Sequence, residues 1–410
     1  VSLVSGTSSP DTFSDAVNRT EDLQTLLARI PDPSIRALFT PEFILCSEEF
    51  DRFTVDTLLN LVADLGLTGP LDSGTTVRDL VAAKGWAPRA EVPVTWFLRK
   101  LAAEGHLKVE GSGADPVFRA RGPLPVGDPD RAEARARALD PGSAPPFLVV
   151  RAMLEHVPEF LRGERSGEDV LFSPAKLPLW FEYFSNDNLL YQINNRLGAE
   201  AVARALPIGR PAIVLEIGGG SGSAALAVAE RLSRDAALAR IGRYVFTEVV
   251  PTFLRRAERN IRARFPALPV EFSRLDMDRD FREQGIDPGS ADVVYAVNTI
   301  HIAKDLAATL ARVRETLRPG GVAVFSECVR PVEEQPIYVE FVFNFLQNFT
   351  GVATDPMTRP NHGFLTPESW RRSLAAAGFE KPEILPDVES LARHYEAFFV
   401  AAVSARKPRA

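Results

Sequence analysis

A chain of 410 residues with 45% hydrophobic content can bury a large core, and its length fits two or three domains rather than one. A formal net charge of −7 gives no general attraction to nucleic acid or to an anionic membrane, and no apolar run is long enough to span one. Cys46 and Cys328 are too few and too far apart for a disulfide framework or a cysteine metal site, so the expectation is a cytoplasmic protein with no metal, membrane or nucleic-acid partner.

Residues 1–20, rich in Ser, Thr and Asp without sustained periodicity, read as a flexible arm. Apolar residues at three- and four-residue spacing predict helices over 21–30 and 53–65. Helices over 75–84 and 92–104 follow, then two short strands, 105–110 and 116–120. This is the order of a winged helix, and it defines a domain over 21–120. A DNA-reading module needs an exposed basic face on its second helix. Here Arg99 and Lys100 stand beside Trp96, Phe97 and Leu98, so a dimerisation module, and hence a homodimer, is expected instead. Residues 121–145 read as a linker holding one short charged helix. Residues 146–205 are helical and dense in aromatics, interleaved with Asn186, Asn188, Gln192, Asn194 and Asn195. Buried amides need partners that a ligand can supply, so this segment is expected to be a helical lid, with Tyr183, Tyr191 and Asn195 toward a substrate.

Over 206–406 strands and helices alternate. Strands are expected at 212–217, 244–247, 270–274, 291–298, 321–327 and 398–403, and helices at 224–234, 251–265, 305–317 and 367–377. The pattern predicts a doubly wound, Rossmann-like α/β sheet. The first strand runs into EIGGGSGS, residues 216–223. A dinucleotide turn would read G-x-G-x-x-G, but the third position here is Ser223 and the pattern is E-x-G-x-G-x-G, with Gly218, Gly220 and Gly222. Glu216 would repel a phosphate and suits a cationic amino group, which points to S-adenosylmethionine. Glu248 ends the second strand, where a carboxylate can hold the ribose diol. Asp276 follows the third, placed for the adenine amino group, with Met277 against the ring.

Several runs together resemble the S-adenosylmethionine-dependent C-methyltransferase domains of polyketide synthases: LRGE (161–164), VLF (170–172), residues 191–197, LEIGGGSGS (215–223), YVFTE (244–248), DVVYAVNTIH (292–301) and LRPGGVAVFSE (317–327). The similarity covers about 157–330, with a weaker continuation through 359–379, and implies the class I methyltransferase fold. Residues 1–120 look more like the dimerisation domain of small-molecule O-methyltransferases, and the aromatic stretch 338–349 has no counterpart.

Methyl transfer needs a base that works at neutral pH. His301 follows the fourth strand, where an imidazole can serve, and Glu327 ends the next strand, where a carboxylate can orient the ring. Taken alone, a strand-end histidine also serves as a cap. The resemblance implies the His301–Glu327 pairing. Asn298 is expected to help position cofactor and substrate, and His362 to line the substrate pocket. Ile302, not an acid, follows His301, so a His-Asp metal pair is absent from this loop. The expected reaction is C-methylation of the activated α-carbon of a β-ketoacyl or polyketide-like acyl group, free or carrier-tethered. The alternatives are O-methylation of a phenol or enol, a winged-helix regulator that senses the cofactor, and a cofactor-assisted cyclase.

Overall fold

The computed structural model describes residues 25–409 except 112–114, 394 and 396. The arm expected over 1–20 lies outside the described residues, as does most of the helix expected to begin at 21. The rest of that helix ends in a short turn, Leu27–Arg29.

Helix α1, Pro41–Asp64, starts with Thr40 accepting from the Phe43 N–H and with Pro41 in its first turn. It extends the helix expected at 53–65 by three turns at its N-terminal end. Helices α2 (Val77–Lys84) and α3 (Glu91–Ala103) precede an antiparallel hairpin, β1 (Leu107–Glu110) and β2 (Val117–Ala120), with Thr75 bridging Phe118. These elements fall where the sequence places them, but the reason for expecting a dimer does not hold. Trp96, Phe97 and Leu98 are buried within the chain. Phe97 stacks on Phe341 at 5.7 Å, and Trp96 Nε1 donates to Glu340 Oε2 at 2.9 Å. The apolar face of α3 is thus covered by the aromatic stretch 338–349. Lys100 on the same helix is buried between Asp51 and Glu104, both at 2.7 Å, and offers no charge to a nucleic acid.

The segment expected as a linker is also packed. Helix α4 (Pro129–Leu139) buries Ala132 and Ala136, and the Cys46 thiol of α1 donates to the Ala136 carbonyl at 3.3 Å. Helix α5 (Ala144–Leu154) ties back to it through Arg151 and Glu133 at 2.6 Å. Helices α6 (Leu177–Tyr183) and α7 (Leu189–Ala205) follow. The segment expected as a lid divides here, because α7 lies on the sheet itself: the Ser326 hydroxyl donates to the Asn194 side chain at 2.6 Å.

The main sheet holds seven strands: β3 (Ala212–Glu216), β4 (Ile241–Thr247), β5 (Val270–Ser273), β6 (Ala291–Val297), β7 (Leu317–Cys328), β8 (Glu380–Leu385) and β9 (Val400–Arg406). Their order is β5-β4-β3-β6-β7-β9-β8, with β9 antiparallel to both neighbours and the other pairs parallel. Helices α8 (Ser223–Arg234), α9 (Pro251–Arg264), α10 (Leu306–Thr316) and α11 (Pro367–Ala376) complete the layers. Parallel strands covered on both faces read as continuous apolar runs, as β6 does with six of its seven residues buried. β8 escaped the sequence reading because EKPEIL is an exposed edge strand with a proline inside it. The strand order reverses between β3 and β6, and the crevice at their carboxyl ends is where such sheets bind ligands.

Candidate active site

The turn after β3 occupies that crevice. Gly218, Gly220 and Gly222 all have positive φ, at +63°, +57° and +93°. An added Cβ at Gly218 would collide with Thr299, and one at Gly222 would press on Ala257 and Ile261 of α9. Only Gly220 of the three faces open space, with nothing within 4 Å of an added Cβ, so it is the point where a ligand can approach the backbone.

The strand-end acids surround this turn. Glu248 Oε2 accepts from the Gly220 N–H at 2.9 Å and Oε1 from the Val250 N–H at 2.7 Å, which ties the turn to the end of β4. Burial pushes its carboxyl up, against the pull of these backbone donors. Glu216 is fully buried beneath the turn. Its Oε2 accepts from the Tyr244 hydroxyl at 2.7 Å, and its Oε1 has no hydrogen-bond partner. Asp276 is half-buried, with Oδ1 on the Asp278 N–H at 3.0 Å, while Met277 packs at the edge of the core under α10. Asn298 takes a positive φ of +46°, uncommon for a residue with a side chain. Its Oδ1 accepts from the Cys328 N–H at 2.9 Å, and its buried Nδ2 has no partner.

His301 and Glu327 meet at the ends of β6 and β7, with Nδ1 2.6 Å from Oε2 and both side chains buried. Glu327 Oε1 accepts from the Thr299 and Ile300 N–H groups at 3.1 and 2.9 Å, so the carboxylate is fixed on both oxygens. A carboxylate can only accept, which places the proton on Nδ1 and leaves the Nε2 lone pair free. Phe364 and Phe349 flank the ring, with centroids at 4.4 and 5.8 Å. Among the described residues, no group of three His, Cys, Asp or Glu is placed to hold a metal ion.

The remaining candidates are spread more widely. Tyr183 and Tyr191 lie together, rings 5.0 Å apart, and burial raises both phenols well above their ordinary range, so both remain hydroxyl donors. They line a cleft closed by Phe50 of α1, Phe147 and Tyr338. Phe343 links them to the histidine pocket, 6.3 Å from Tyr183 and 5.6 Å from Phe349. Asn195 instead donates to Asn186 at 2.8 Å, and Asn186 donates to the Ser223 carbonyl at 3.0 Å, so this amide pair braces the glycine turn. His362 Nε2 lies 3.0 Å from Asn344 Oδ1; burial, aided by Arg330, lowers its imidazole to about 4 and keeps it neutral. The sequence reading assigned no role to Phe349, Phe364 or Arg359, although they fall in the 338–349 stretch and the 359–379 run, because nothing local shows that they meet His301.

Residues 215–323, from the end of β3 into β7, match the family described as a methyltransferase domain. The chain carries a methyltransferase domain. A highly reducing polyketide synthase, frbB, of Dothideomycetidae sp. (strain 11243) is 30% identical over 250 residues, 61% of this chain and 9% of that protein. The polyketide synthase PksR of Bacillus subtilis (strain 168) is 27% identical over 243 residues, 56% of this chain and 9% of that protein. The chain thus spans about a tenth of the length of these curated relatives. Among solved structures, the CurJ carbon methyltransferase superposes with a TM-score of 0.73 at 20% identity, covering 97% of this chain and 99% of that one. The DszA carbon methyltransferase gives 0.70 at 23% identity, covering 97% and 96%.

These superpositions cover 97% of this chain and so extend through the helical N-terminal region. The trans-methyltransferase CalH, solved in complex with SAH, superposes with a TM-score of 0.56 at 22% identity, covering 89% of this chain and 91% of that one, consistent with S-adenosylmethionine as the cofactor. The turn fits that molecule: an open backbone face at Gly220, and unpaired polar atoms on Glu216 and Asn298.

Proposed function

We propose that this methyltransferase transfers a methyl group to the activated α-carbon of a β-ketoacyl or polyketide-like acyl substrate, free or tethered to a carrier protein. The observation that carries this is the His301–Glu327 pair, buried and fixed at the carboxyl ends of β6 and β7 beside the glycine turn. The polyketide synthase relatives and the carbon methyltransferase structures support the choice of carbon as acceptor.

S-adenosylmethionine supplies an electrophilic methyl group. Gly220, Glu216, Glu248, Asp276, Met277 and Asn298 are the residues that would hold it. The chain's own work is to generate the nucleophile. His301 Nε2 accepts the α-proton of the substrate, and Glu327 stabilises the imidazolium through Nδ1–H while its second oxygen stays held by two backbone donors. Phe349 and Phe364 pack against the ring and hold its orientation, and the proton taken up on Nε2 passes to solvent before the next turnover. Tyr183 and Tyr191 line the cleft from which an acyl chain would reach the pocket.

The test is product analysis after incubation with methyl-labelled cofactor, β-ketoacyl thioesters and phenols. Label on carbon is expected; an ether product would move the assignment to O-methylation with the same base. His301→Ala should lose turnover by about a hundredfold or more and keep cofactor affinity by calorimetry. In heavy water the wild type should exchange the substrate α-hydrogen and the variant should not. Exchange at the wild-type rate in His301→Ala places the base elsewhere.

A further inference from the structure

Arg359 is 2% exposed, yet no carboxylate of a described residue lies within 4.0 Å of its guanidinium. The fold treats its other buried arginine near the site differently: Arg330 pairs with Glu340 at 2.7 Å. Arg359 is delivered by a small turn in which Asp355 and Arg359 pair backbone to backbone and Asp355 Oδ1 accepts from the Met357 and Thr358 N–H groups. Its Nη2 donates to the His301 carbonyl and its Nη1 to the Ala303 carbonyl at 3.1 Å, while its Nε has no partner. A cation held this way is costly to bury unless a nearby charge offsets it. Burial lowers its pKa to about 10, against the opposing pull of Glu327, so it is cationic at neutral pH.

The charged groups around the imidazole are therefore few. Glu327 meets it from β7, and Arg359, from the 355–359 turn, meets the backbone carbonyl of the same residue. Behind them lie the Arg330–Glu340 ion pair and a neutral His362, while Phe349 and Phe364 contribute no charge. With His301 neutral, Glu327 and Arg359 sum to zero.

We propose that Arg359 is a positioning residue for the His301–Glu327 pair: it clamps the His301 loop through two carbonyls, and its charge opposes that of Glu327 so that the imidazole rests unprotonated and ready to accept a proton. This rests on the reading of His301 as the base. Without Arg359 the carboxylate alone would act on the ring, favouring the imidazolium over the base form.

The chain has five histidines, so ring-labelled histidine NMR can follow each of them, with the His301 resonance assigned by its loss in His301→Gln. Arg359→Gln keeps an amide that can donate to a carbonyl but removes the charge. Arg359→Lys keeps the charge and loses the two-carbonyl clamp. The His301 resonance should titrate about one pH unit or more higher in Arg359→Gln than in wild type, and within a few tenths of wild type in Arg359→Lys. Equal titration in Arg359→Gln and wild type, or an equal shift in both variants, overturns the proposal. If Arg359→Gln does not fold, Arg359→Met serves, since it removes the charge and keeps the apolar stem: the resonance should again titrate at least about one unit higher than in wild type, and an unchanged midpoint overturns the proposal. The titration uses no substrate, so its failure is distinct from a failure of the carbon-methylation reading, which product analysis alone decides.

Discussion

Glu216→Gln should stabilise the free protein by an amount that grows with pH. The carboxyl is fully buried, and burial pushes it from its ordinary 4.5 to about 8; the Tyr244 hydroxyl opposes this and Glu248 adds to it. Between those values the folded chain holds a proton that the unfolded chain has released, so wild-type stability falls as pH rises through that window. One pH unit is worth about 1.4 kcal/mol, so the wild type loses on the order of 3 kcal/mol between pH 4.5 and 7 and about 5 kcal/mol by pH 9. Glutamine has the shape of the protonated acid, still accepts from Tyr244 and does not titrate. Denaturant unfolding of both proteins should show an advantage for the variant of under about 1 kcal/mol at pH 5, about 3 at pH 7 and about 5 at pH 9. An advantage that is the same at all three pH values refutes the reasoning. The cofactor supplies a second arm. If Glu216 faces its ammonium, binding favours the ionised carboxyl, and excess S-adenosylmethionine should stabilise the wild type more as pH rises, with no such trend in the variant. A cofactor effect in the wild type that ignores pH removes Glu216 from the ammonium site.

Substitutions at two further positions test the turn and the helix that the sequence reading assigned to a dimer interface. Gly220→Ala puts a methyl group into open space at a φ of +57°, so the protein should fold at a cost of about 1 to 2 kcal/mol and bind the cofactor at least about tenfold more weakly by calorimetry; unchanged affinity places the cofactor away from this turn. Trp96→Phe removes the donor to Glu340 and should cost about 1 to 3 kcal/mol in unfolding, while Trp96→Ala should cost about 3 to 5 kcal/mol. Loss of a dimer in light scattering with unchanged unfolding would make α3 an interface after all.

What the sequence reveals here depends on the distance over which a residue's role is decided. Six of the seven strands were legible because they announce themselves locally: β6 is an apolar run closed by Asn298, and β3 an apolar run closed by a glycine turn. Residues at strand ends inherit that clarity. Once the parallel order is assumed, His301 and Glu327 must fall at the same edge of the sheet, and the structure places them 2.6 Å apart. Nothing local tells where an exposed-looking helix spends its apolar face. Trp96, Phe97 and Leu98 read as surplus because their partners, Phe341, Phe345 and Glu340, lie more than two hundred residues away. The same holds for the linker that packs on α1 and for the lid helix α7 that belongs to the sheet. Arg359 is the strongest case. In the sequence it opens the 359–379 run, which marks a region and not a role, and its role comes from the two carbonyls it meets at residues 301 and 303 and from the carboxylate it does not. Local pattern places the groups that do chemistry on regular elements, whereas the groups that tune them arrive on loops, and those are found only from the folded chain.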